Sequence, residues 1–384
     1  MVADRCQSIQ PFYVMDLLAK AKHLERQGRD IIHMEVGEPD FVTPQPIIDA
    51  GIAALRNGNV HYTAALGLPA LREAIAVHYQ RTYGVFVDPQ RIVVTPGSSS
   101  GLQLLMHALV NAGDQVLLTD PGYPCNKNFV RLVGGEPVFV PVVAEEAYKL
   151  SVQRLASVWS NTVKAVILAS PANPTGAVMA PPDLQVLVDW VQGRGGKLIV
   201  DEIYHGLHYD AQIGTALAAS DQVYVVNSFS KYFAMTGWRL GWLVVPEHEI
   251  EWFDRLAQNL FLSAPTPAQY AALAAFSSDV TAILEDRKVQ FKQRRDFLLA
   301  ALRALGFECP VTPQGAFYVY GKATAFTEDS FAWCVRLLEQ EGVAIAPGRD
   351  FAEDRADQYV RFAYTTNMDR LADGVERIAR FVGS

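Results

Sequence analysis

Short apolar runs alternate with helix-length amphipathic segments over most of this chain. Apolar runs rich in β-branched residues predict buried strands, and they lie at 31–36, 91–95, 115–119, 163–169, 197–200, 222–226 and 240–245. Apolar positions at helical spacing predict helices at 12–27, 68–83, 98–111 and 181–193. Strands that alternate with helices at this interval indicate βαβ units, so we expect an α/β fold whose sheet is covered on both faces.

The pattern changes near residue 247. Residues 247–304 are predominantly helical in character, and the remainder combines short strands near 316–319, 343–345 and 359–362 with helices at 328–341 and 368–381. A second, smaller α+β domain accounts for this change. We predict three parts: an N-terminal segment, 1–45, that joins the small domain; a large domain, 46–280; and a small C-terminal domain, 281–384.

Composition limits the class of protein. Half of the 384 residues are hydrophobic and 19% are charged, which suffices for large buried cores. The net charge of −8 argues against nucleic acid or an anionic membrane as the main partner. The four cysteines are scattered, so neither a disulfide framework nor a metal site is predicted. No stretch resembles a signal peptide or a membrane span, and we expect a cytoplasmic protein.

The segment 227–241, NSFSKYFAMTGWRLG, follows the predicted strand 222–226. Open α/β sheets bind ligands at this position, beyond the carboxyl ends of the strands. Burial and the nearby cation Arg239 both favour the neutral form of Lys231, and a neutral amine attacks carbonyl groups. The segment therefore indicates an amine that works beside a bound phosphate. Taken alone, a solvated loop lysine is the commoner explanation.

Two further motifs follow strands at the same edge of the predicted sheet. Residues 95–101, TPGSSSG, place Ser98 and Ser99 at a helix N-terminus, where free backbone N–H groups can hold a phosphate. This loop is neither a dinucleotide fingerprint nor a Walker A loop, and a serine-rich helix cap without a ligand is an equally good explanation. Tyr123, in DPGYP at 120–124, is placed to stack on a flat cofactor or simply packs beside a turn.

Three polar residues at predicted strand ends suit a charged, planar ligand. Asn173 lies between two prolines that restrict its backbone, so its amide is aimed at a fixed point or merely forms a turn. Asp201 ends an apolar strand, where an unpaired charge is costly, and a protonated pyridine nitrogen would be a suitable partner. A carboxylate at a strand end can instead cap the following helix, and this alternative applies in particular to the adjacent Glu202. Arg361 lies in an alternating strand and suits a carboxylate, although many strand arginines pair within the protein.

Together these segments resemble the fold-type I, pyridoxal-phosphate-dependent aminotransferases of the class I/II family. The most specific match is the pattern S-x-S-K-x-x-x-M-T-G-W-R at 228–239. It is supported, in the family's order, by VGEPDF at 36–41, HYTAALGLPALREAI at 61–75, NPTG at 173–176, DEIY at 201–204 and RFAY at 361–364. The resemblance extends over nearly the whole chain.

The resemblance implies a role for each of these residues. Lys231 is expected to form the internal aldimine and then to carry the proton between the substrate and the cofactor. Asp201 is expected to pair with the pyridine nitrogen and keep the ring protonated. Tyr204 and Asn173 match the residues that bind the phenolic oxygen, and Tyr123 matches the residue that stacks on the ring.

The phosphate and the substrate have their own expected partners in this family. The expected phosphate-binding residues are Ser98, Ser99, Ser228, Arg239, and Tyr62 from a second subunit. Arg361 resembles the residue that binds the substrate α-carboxylate, assisted by Asn173 and the backbone of Gly37. The loop 37–41 is a candidate for movement when the small domain closes on the substrate.

The resemblance further implies a large domain with a mostly parallel sheet, a smaller α+β domain and a homodimer. The expected activity moves an amino group from an L-amino acid to a 2-oxo acid by a ping-pong mechanism. A lyase on the same scaffold is an alternative, as is a non-catalytic domain that senses pyridoxal phosphate. The side-chain pocket, for which Phe12, Tyr13, Phe317 and residues 259–261 are candidates, suits an apolar or aromatic amino acid.

Overall fold

The computed structural model describes residues 2–3, 6–7, 9 and 11–383. In chain order its helices and strands are α1 (Tyr13–Arg26), β1 (Ile32–Met34), α2 (Gln45–Arg56), α3 (Pro69–Tyr83), β2 (Ile92–Thr95), α4 (Ser98–Leu109), β3 (Gln115–Asp120), α5 (Cys125–Leu132), β4 (Glu136–Pro141), α6 (Val152–Val158), β5 (Val163–Ala169), α7 (Pro181–Gln192), β6 (Lys197–Asp201), β7 (Tyr224–Ser228), β8 (Gly241–Val244), α8 (Ile250–Leu260), α9 (Thr266–Leu273), α10 (Ser278–Ala304), β9 (Tyr318–Lys322), α11 (Ser330–Glu341), β10 (Val343–Pro347), β11 (Tyr359–Ala363) and α12 (Met368–Val382).

A seven-stranded sheet in the order β2-β8-β7-β6-β5-β3-β4 forms the centre of the large part of the molecule. Strand β8 runs antiparallel to β2 and β7, and the pairs that join β7, β6, β5, β3 and β4 are parallel. The mostly parallel sheet with helices around it confirms the predicted α/β class.

Alternate residues of the central strands pack on opposite faces of this sheet. Leu117, Val166, Leu198 and Val225 belong to one buried cluster. Their neighbours Val116, Ile167, Ile199 and Val226 belong to another. Because both faces are buried, the strands carry continuous apolar runs, and this explains why their positions could be predicted from the sequence.

A second sheet, in the order β1-β10-β11-β9, has its own buried cluster. Strand β1 comes from the N-terminal segment and pairs parallel with β10, with Ile32 opposite Val343. The other two pairs are antiparallel. The predicted domain boundaries stay a prediction; helix α10, which begins at Ser278, crosses the boundary placed at residue 280.

Several elements differ from the sequence prediction. Strand β4 was not predicted; it carries Pro137 and Pro141 and lies at the edge of the sheet, where a missing N–H is tolerated. Helices α2, α5 and α6 were also missed. The helical stretch 247–304 is divided into α8, α9 and α10, and Pro265 lies at the break before α9.

Two general properties of the chain bear on its class. Within the described ranges, no helix is both long and apolar enough to cross a membrane. Cys6, Cys125, Cys309 and Cys334 are all free thiols. In the same part of the chain, no cluster of three or more His, Cys, Asp or Glu side chains is arranged to hold a metal ion.

Candidate active site

The candidate residues lie where the parallel strands of the large sheet end. Asn173 follows β5, Asp201 ends β6, and Lys231 follows β7. Because β5, β6 and β7 are parallel neighbours, their carboxyl ends meet at one edge of the sheet. Chain order and strand order together therefore bring these three side chains to one place.

Lys231 is half-buried, and its Nζ donates a hydrogen bond of 2.6 Å to the carbonyl oxygen of Gly37. Burial lowers the pKa of this amine to about 8, and the charges of Arg361 and Arg239 act in the same direction. A substantial fraction of the lysine is therefore neutral in mildly alkaline solution, which is the form that reacts with a carbonyl group.

Asp201 is a buried carboxylate, with 5% of its surface exposed. Its Oδ1 accepts a hydrogen bond of 3.1 Å from the N–H of Ile203, and burial raises its pKa to about 7. The positive charge of Lys231 lowers the pKa of Asp201 and offsets only part of the rise caused by burial. A cation placed next to Asp201 would restore the ionised form, so the site is built for a positively charged ligand group.

The adjacent Glu202 has a structural role. Its Oε1 accepts hydrogen bonds from the N–H of Ala216, at 2.7 Å, and from Oγ1 of Thr215, at 3.0 Å. The carboxyl group thus binds the first residue of the turn at Ala216–Ala218, whose N-cap is Thr215, and not a helix that directly follows β6. Burial raises the pKa of Glu202 to about 8.

A cradle for an anion forms at the N-terminus of α4. Gly97 precedes this helix with φ +81° and ψ 164°, and a Cβ at this position would overlap Nη2 of Arg239. The glycine therefore lets the guanidinium approach the free N–H groups of the first helical turn. An exposed cation beside a helix N-terminus is a favourable place for a phosphate.

Serine hydroxyl groups complete this cradle. Ser228 is buried, and its Oγ lies 2.9 Å from Oγ of Ser230. Nη1 of Arg239 is 3.5 Å from the same Ser230 oxygen. Ser99, in the first turn of α4, lies within hydrogen-bonding reach of the Tyr123 hydroxyl. The predicted phosphate-binding and ring-stacking residues are therefore neighbours.

Arg361 is held rigidly in the second sheet, with 3% of its surface exposed. Its Nη1 donates a hydrogen bond of 2.9 Å to Oδ1 of Asn173, and its Nη2 donates a hydrogen bond to the carbonyl oxygen of Glu35. The guanidinium carbon lies 4.2 Å from the ring centre of Tyr318 and 4.5 Å from that of Phe351. Its Nε has no partner in the part of the chain described, so a donor is left for a ligand.

Tyr318 and Phe351 were not singled out in the sequence. The strand predicted at 316–319 contained Tyr318, but alternation alone does not show which strand lies opposite it. Its hydroxyl lies 2.9 Å from that of Tyr204, and both rings are buried. A Cβ at Gly37 would overlap the Tyr318 hydroxyl oxygen. Tyr318 therefore contacts three predicted parts of the site.

Three other residues, Tyr62, Phe12 and Tyr13, are predicted from the sequence to belong to the site. Tyr62 is 82% exposed, and a single chain does not test its expected contact with a second subunit. The N–H groups of Tyr13 and Val14 donate to the carboxylate of Asp350, each at 2.8 Å. Phe12 and Tyr13 line a cavity of about 290 Å³.

Two more candidates for the side-chain pocket remain predictions. Phe317 is fully buried, with its ring centre 5.9 Å from Nζ of Lys231. Residues 259–261 lie at the end of α8, where Nδ2 of Asn259 donates to the carbonyl oxygen of Arg255.

Known proteins match this chain over its whole length. The sequence profile of the family described as "Aminotransferase class I and II" matches residues 29–378. A valine–pyruvate aminotransferase from Mycobacterium tuberculosis is 39% identical, over 98% of this chain and 97% of the relative. A (5-formylfuran-3-yl)methyl phosphate transaminase from Methanocaldococcus jannaschii is 37% identical over the full length of both. The crystal structure of an aminotransferase from Mycobacterium tuberculosis superimposes with a TM-score of 0.96 at 39% identity, covering 100% of this chain and 99% of the other.

Proposed function

We propose the role of each site residue from one premise: the chain belongs to the class I and II aminotransferases and depends on pyridoxal phosphate. Membership confirms the fold, the reaction class and the cofactor predicted from the sequence. We propose that the enzyme transfers an amino group from an L-amino acid to a 2-oxo acid in a ping-pong order, with Lys231 at the centre.

The residues at the site fit the charges of pyridoxal phosphate. The buried Asp201 requires a cation, and the protonated ring nitrogen would supply it. The helix N-terminus, Ser228 and Arg239 form a cradle for the phosphate. Ser98 and Ser99 begin that helix and would add their N–H groups.

Bound pyridoxal phosphate supplies an aldehyde that takes up an amino group and a ring that accepts negative charge from the substrate Cα. Lys231 carries the proposal, because its Nζ combines partial burial, a lowered pKa and a position where the charges of both Asp201 and Arg361 act on it. We propose that this nitrogen attaches the cofactor covalently and, when freed by substrate, moves the proton at Cα.

Neighbouring side chains would orient the cofactor ring. The Tyr204 hydroxyl and the Asn173 amide are proposed to bind the phenolic oxygen, and Tyr123 to cover one face of the ring. Tyr204 is buried, and its hydroxyl oxygen lies 2.9 Å from that of Tyr318, so this oxygen is held in place; either hydroxyl can be the donor of the bond between them. Fixed donors need no reorganisation when charge develops on the ligand, which favours the reaction.

Arg361 is proposed to bind the substrate carboxylate. Its plane is held between two rings, its Nε is free within the described part of the chain, and Asn173 and Gly37 lie alongside. An arginine fork binds a carboxylate through two parallel hydrogen bonds. The hydrogen bond from Lys231 to the Gly37 carbonyl would be lost when this nitrogen attaches the cofactor, so the loop 37–41 loses a contact in the loaded enzyme and is proposed as a moving part.

We propose an apolar amino acid as donor. Two cations, Arg361 and Arg239, act on Lys231 among the described residues, and each already has an anionic partner in this proposal. The relative named valine–pyruvate aminotransferase agrees with a neutral donor. The relative named aspartate aminotransferase from Geobacillus stearothermophilus, at 35% identity, makes aspartate the comparison to test.

We propose a homodimer that completes the site. Tyr62 is exposed, and other exposed apolar side chains include Ile52, Leu55, Val60, Leu260 and Leu262. Exposed apolar side chains of this size suit a surface that meets another chain. The partner's Tyr62 would then reach the phosphate, and Tyr62→Phe should weaken cofactor binding without changing the dimer in sedimentation. A cytoplasmic location stays a prediction.

The central test mixes the protein with pyridoxal phosphate and single amino acids and follows the visible absorbance of the bound cofactor. Lys231→Ala should abolish the absorbance of the covalently attached cofactor and lower turnover by at least about 10²–10⁴-fold. Lys164→Ala, at an exposed position of β5, is the matched control. Full activity of the Lys231 variant would disprove the assignment.

The products distinguish transfer from elimination. With valine and 2-oxoglutarate, we expect 2-oxoisovalerate and glutamate in equal amounts. Pyruvate and ammonia from a β-substituted amino acid, without glutamate, would instead favour the lyase alternative.

A further inference from the structure

Tyr318 joins three parts of the site that are far apart in sequence. It lies on β9 opposite Ala363 of β11, two residues along that strand from Arg361, and its ring centre is 4.2 Å from the Arg361 guanidinium carbon. Its hydroxyl reaches Tyr204, 114 residues away, just after the end of β6. The same oxygen occupies the space where any side chain at position 37 would begin. The ring and the hydroxyl of one residue thus contact both a residue proposed to bind the cofactor and the residue proposed to bind the substrate carboxylate.

We propose that Tyr318 is a positioning residue with two separable functions, an inference that rests on the proposed function. Its hydroxyl orients the Tyr204 hydroxyl towards the phenolic oxygen of the cofactor. Its ring holds the Arg361 guanidinium flat for the substrate carboxylate.

The hydroxyl function follows from donor counting. A tyrosine hydroxyl donates one hydrogen bond, so Tyr204 can donate to the cofactor only if it accepts from Tyr318. Burial raises the pKa of both hydroxyl groups, so both keep their protons over the working pH range. The charged groups that act on this pair are Arg361 and Asp201. A donor that itself accepts a hydrogen bond is a stronger donor.

The ring function follows from the packing of Arg361. The guanidinium lies between Tyr318 and Phe351, at 4.2 and 4.5 Å from their ring centres. Both distances are within the range of cation–π attraction. Hydrogen bonds to Asn173 and to the Glu35 carbonyl fix the fork within this layer. An aliphatic side chain at 318 would fill part of the space but would not attract the cation.

The two functions are separated by two substitutions. Tyr318→Phe removes the hydroxyl and keeps the ring, whereas Tyr318→Leu removes both. Tyr320→Phe is the matched control, because Tyr320 is on the same strand and buried, and its hydroxyl has no partner among the described residues. Circular dichroism and thermal unfolding check that each variant is folded.

Two readouts apply to the enzyme loaded with pyridoxal phosphate. The first is the pH midpoint of the cofactor absorbance change, which reports how well the phenolic negative charge is stabilised. The second is the dissociation constant of 3-methylbutanoate, which has a carboxylate but no amino group. Tyr318→Phe should raise the midpoint by about half a pH unit or more, because a donor to the anion is weakened, and should leave the dissociation constant within about twofold.

Tyr318→Leu should raise the pH midpoint of the absorbance change by a similar amount. It should also raise the dissociation constant of 3-methylbutanoate by about 3- to 20-fold. Tyr320→Phe should change neither quantity. An unchanged midpoint in Tyr318→Phe would overturn the hydroxyl function, and equal dissociation constants in the Phe and Leu variants would overturn the ring function. Wild-type protein that takes up no pyridoxal phosphate would instead overturn the proposed function itself.

Discussion

Replacing Asp201 by Asn should stabilise the protein without cofactor while it weakens cofactor binding. The amide has nearly the same shape and keeps an oxygen that accepts from the Ile203 N–H. It removes the charge that the buried site disfavours. The same charge is the proposed partner of the cofactor's ring nitrogen, so stability and binding should change in opposite directions.

The magnitude follows from the pKa of the carboxyl group. Burial raises the pKa of Asp201 from 3.8 to about 7, so ionising this carboxyl group costs about 4 kcal/mol more in the folded protein than in the unfolded chain. Between these two values the unfolded chain has lost this proton and the folded chain has kept it, so stability falls as pH rises. Above pH 7 the full penalty applies. About 2 kcal/mol of this loss in folding stability occurs between pH 5.5 and pH 8.

The assay is urea unfolding of wild type and Asp201→Asn, both free of cofactor, at pH 5.5 and pH 8. The free-energy difference in favour of Asn should grow by about 2 kcal/mol between these pH values. Glu202 titrates in both proteins, so its own contribution largely cancels. Asp286→Asn, an exposed carboxylate on α10, is the control and should show no such growth.

A constant difference between the two pH values would refute this reasoning, since it would mean that Asp201 has the same charge at both. The binding readout is independent. Titration with pyridoxal phosphate should show weaker binding to Asp201→Asn at pH 8, and unchanged affinity would remove Asp201 from its proposed role.

Three further predictions concern other parts of the site. The rate at which the cofactor-free protein takes up pyridoxal phosphate should rise with pH through a midpoint near 8, because burial lowers the pKa of Lys231 and the neutral amine reacts; a rate independent of pH from 7 to 9.5 would contradict this. Arg361→Lys should weaken the binding of 3-methylbutanoate about tenfold or more, because a lysine lacks the planar fork, and should leave the cofactor absorbance intact. Equal affinity in the two proteins would exclude the arginine from the carboxylate site. Gly97→Ala should cost about 1–3 kcal/mol of stability and also lower cofactor affinity, because the backbone conformation suits only glycine and the new Cβ meets Arg239. Gly28 also has a positive φ but has open space around it, so Gly28→Ala should lower stability and leave cofactor affinity unchanged.

The sequence predicted the large sheet well because its strands are buried on both faces. Asp201 ends one of these apolar runs, and Asn173 and Lys231 follow two others, so the sequence pattern places all three near strand ends, while their roles depend on the family resemblance. The structure adds their proximity, which depends on the sheet order β5-β6-β7. Strand order depends on contacts between segments distant in the chain, and a local pattern does not contain it.

Residues that complete the site from the second sheet were harder to find for a related reason. The contact between Arg361 and the Glu35 carbonyl joins positions 326 residues apart. It exists because β1, from the N-terminal segment, pairs with β10, and β10 pairs with β11. Tyr318 on β9 enters through the same sheet. No spacing rule within one segment predicts such a contact.

Backbone atoms explain a second gap between sequence and site. The carbonyl groups of Glu35 and Gly37 accept hydrogen bonds from Arg361 and Lys231, and any residue type carries a carbonyl group. Identity at position 35 therefore says nothing about this contact. Position 37 is different, because the Tyr318 hydroxyl fills the place of a Cβ. Glycine is required there by a side chain 281 positions away, so its role becomes visible only when both residues are seen together.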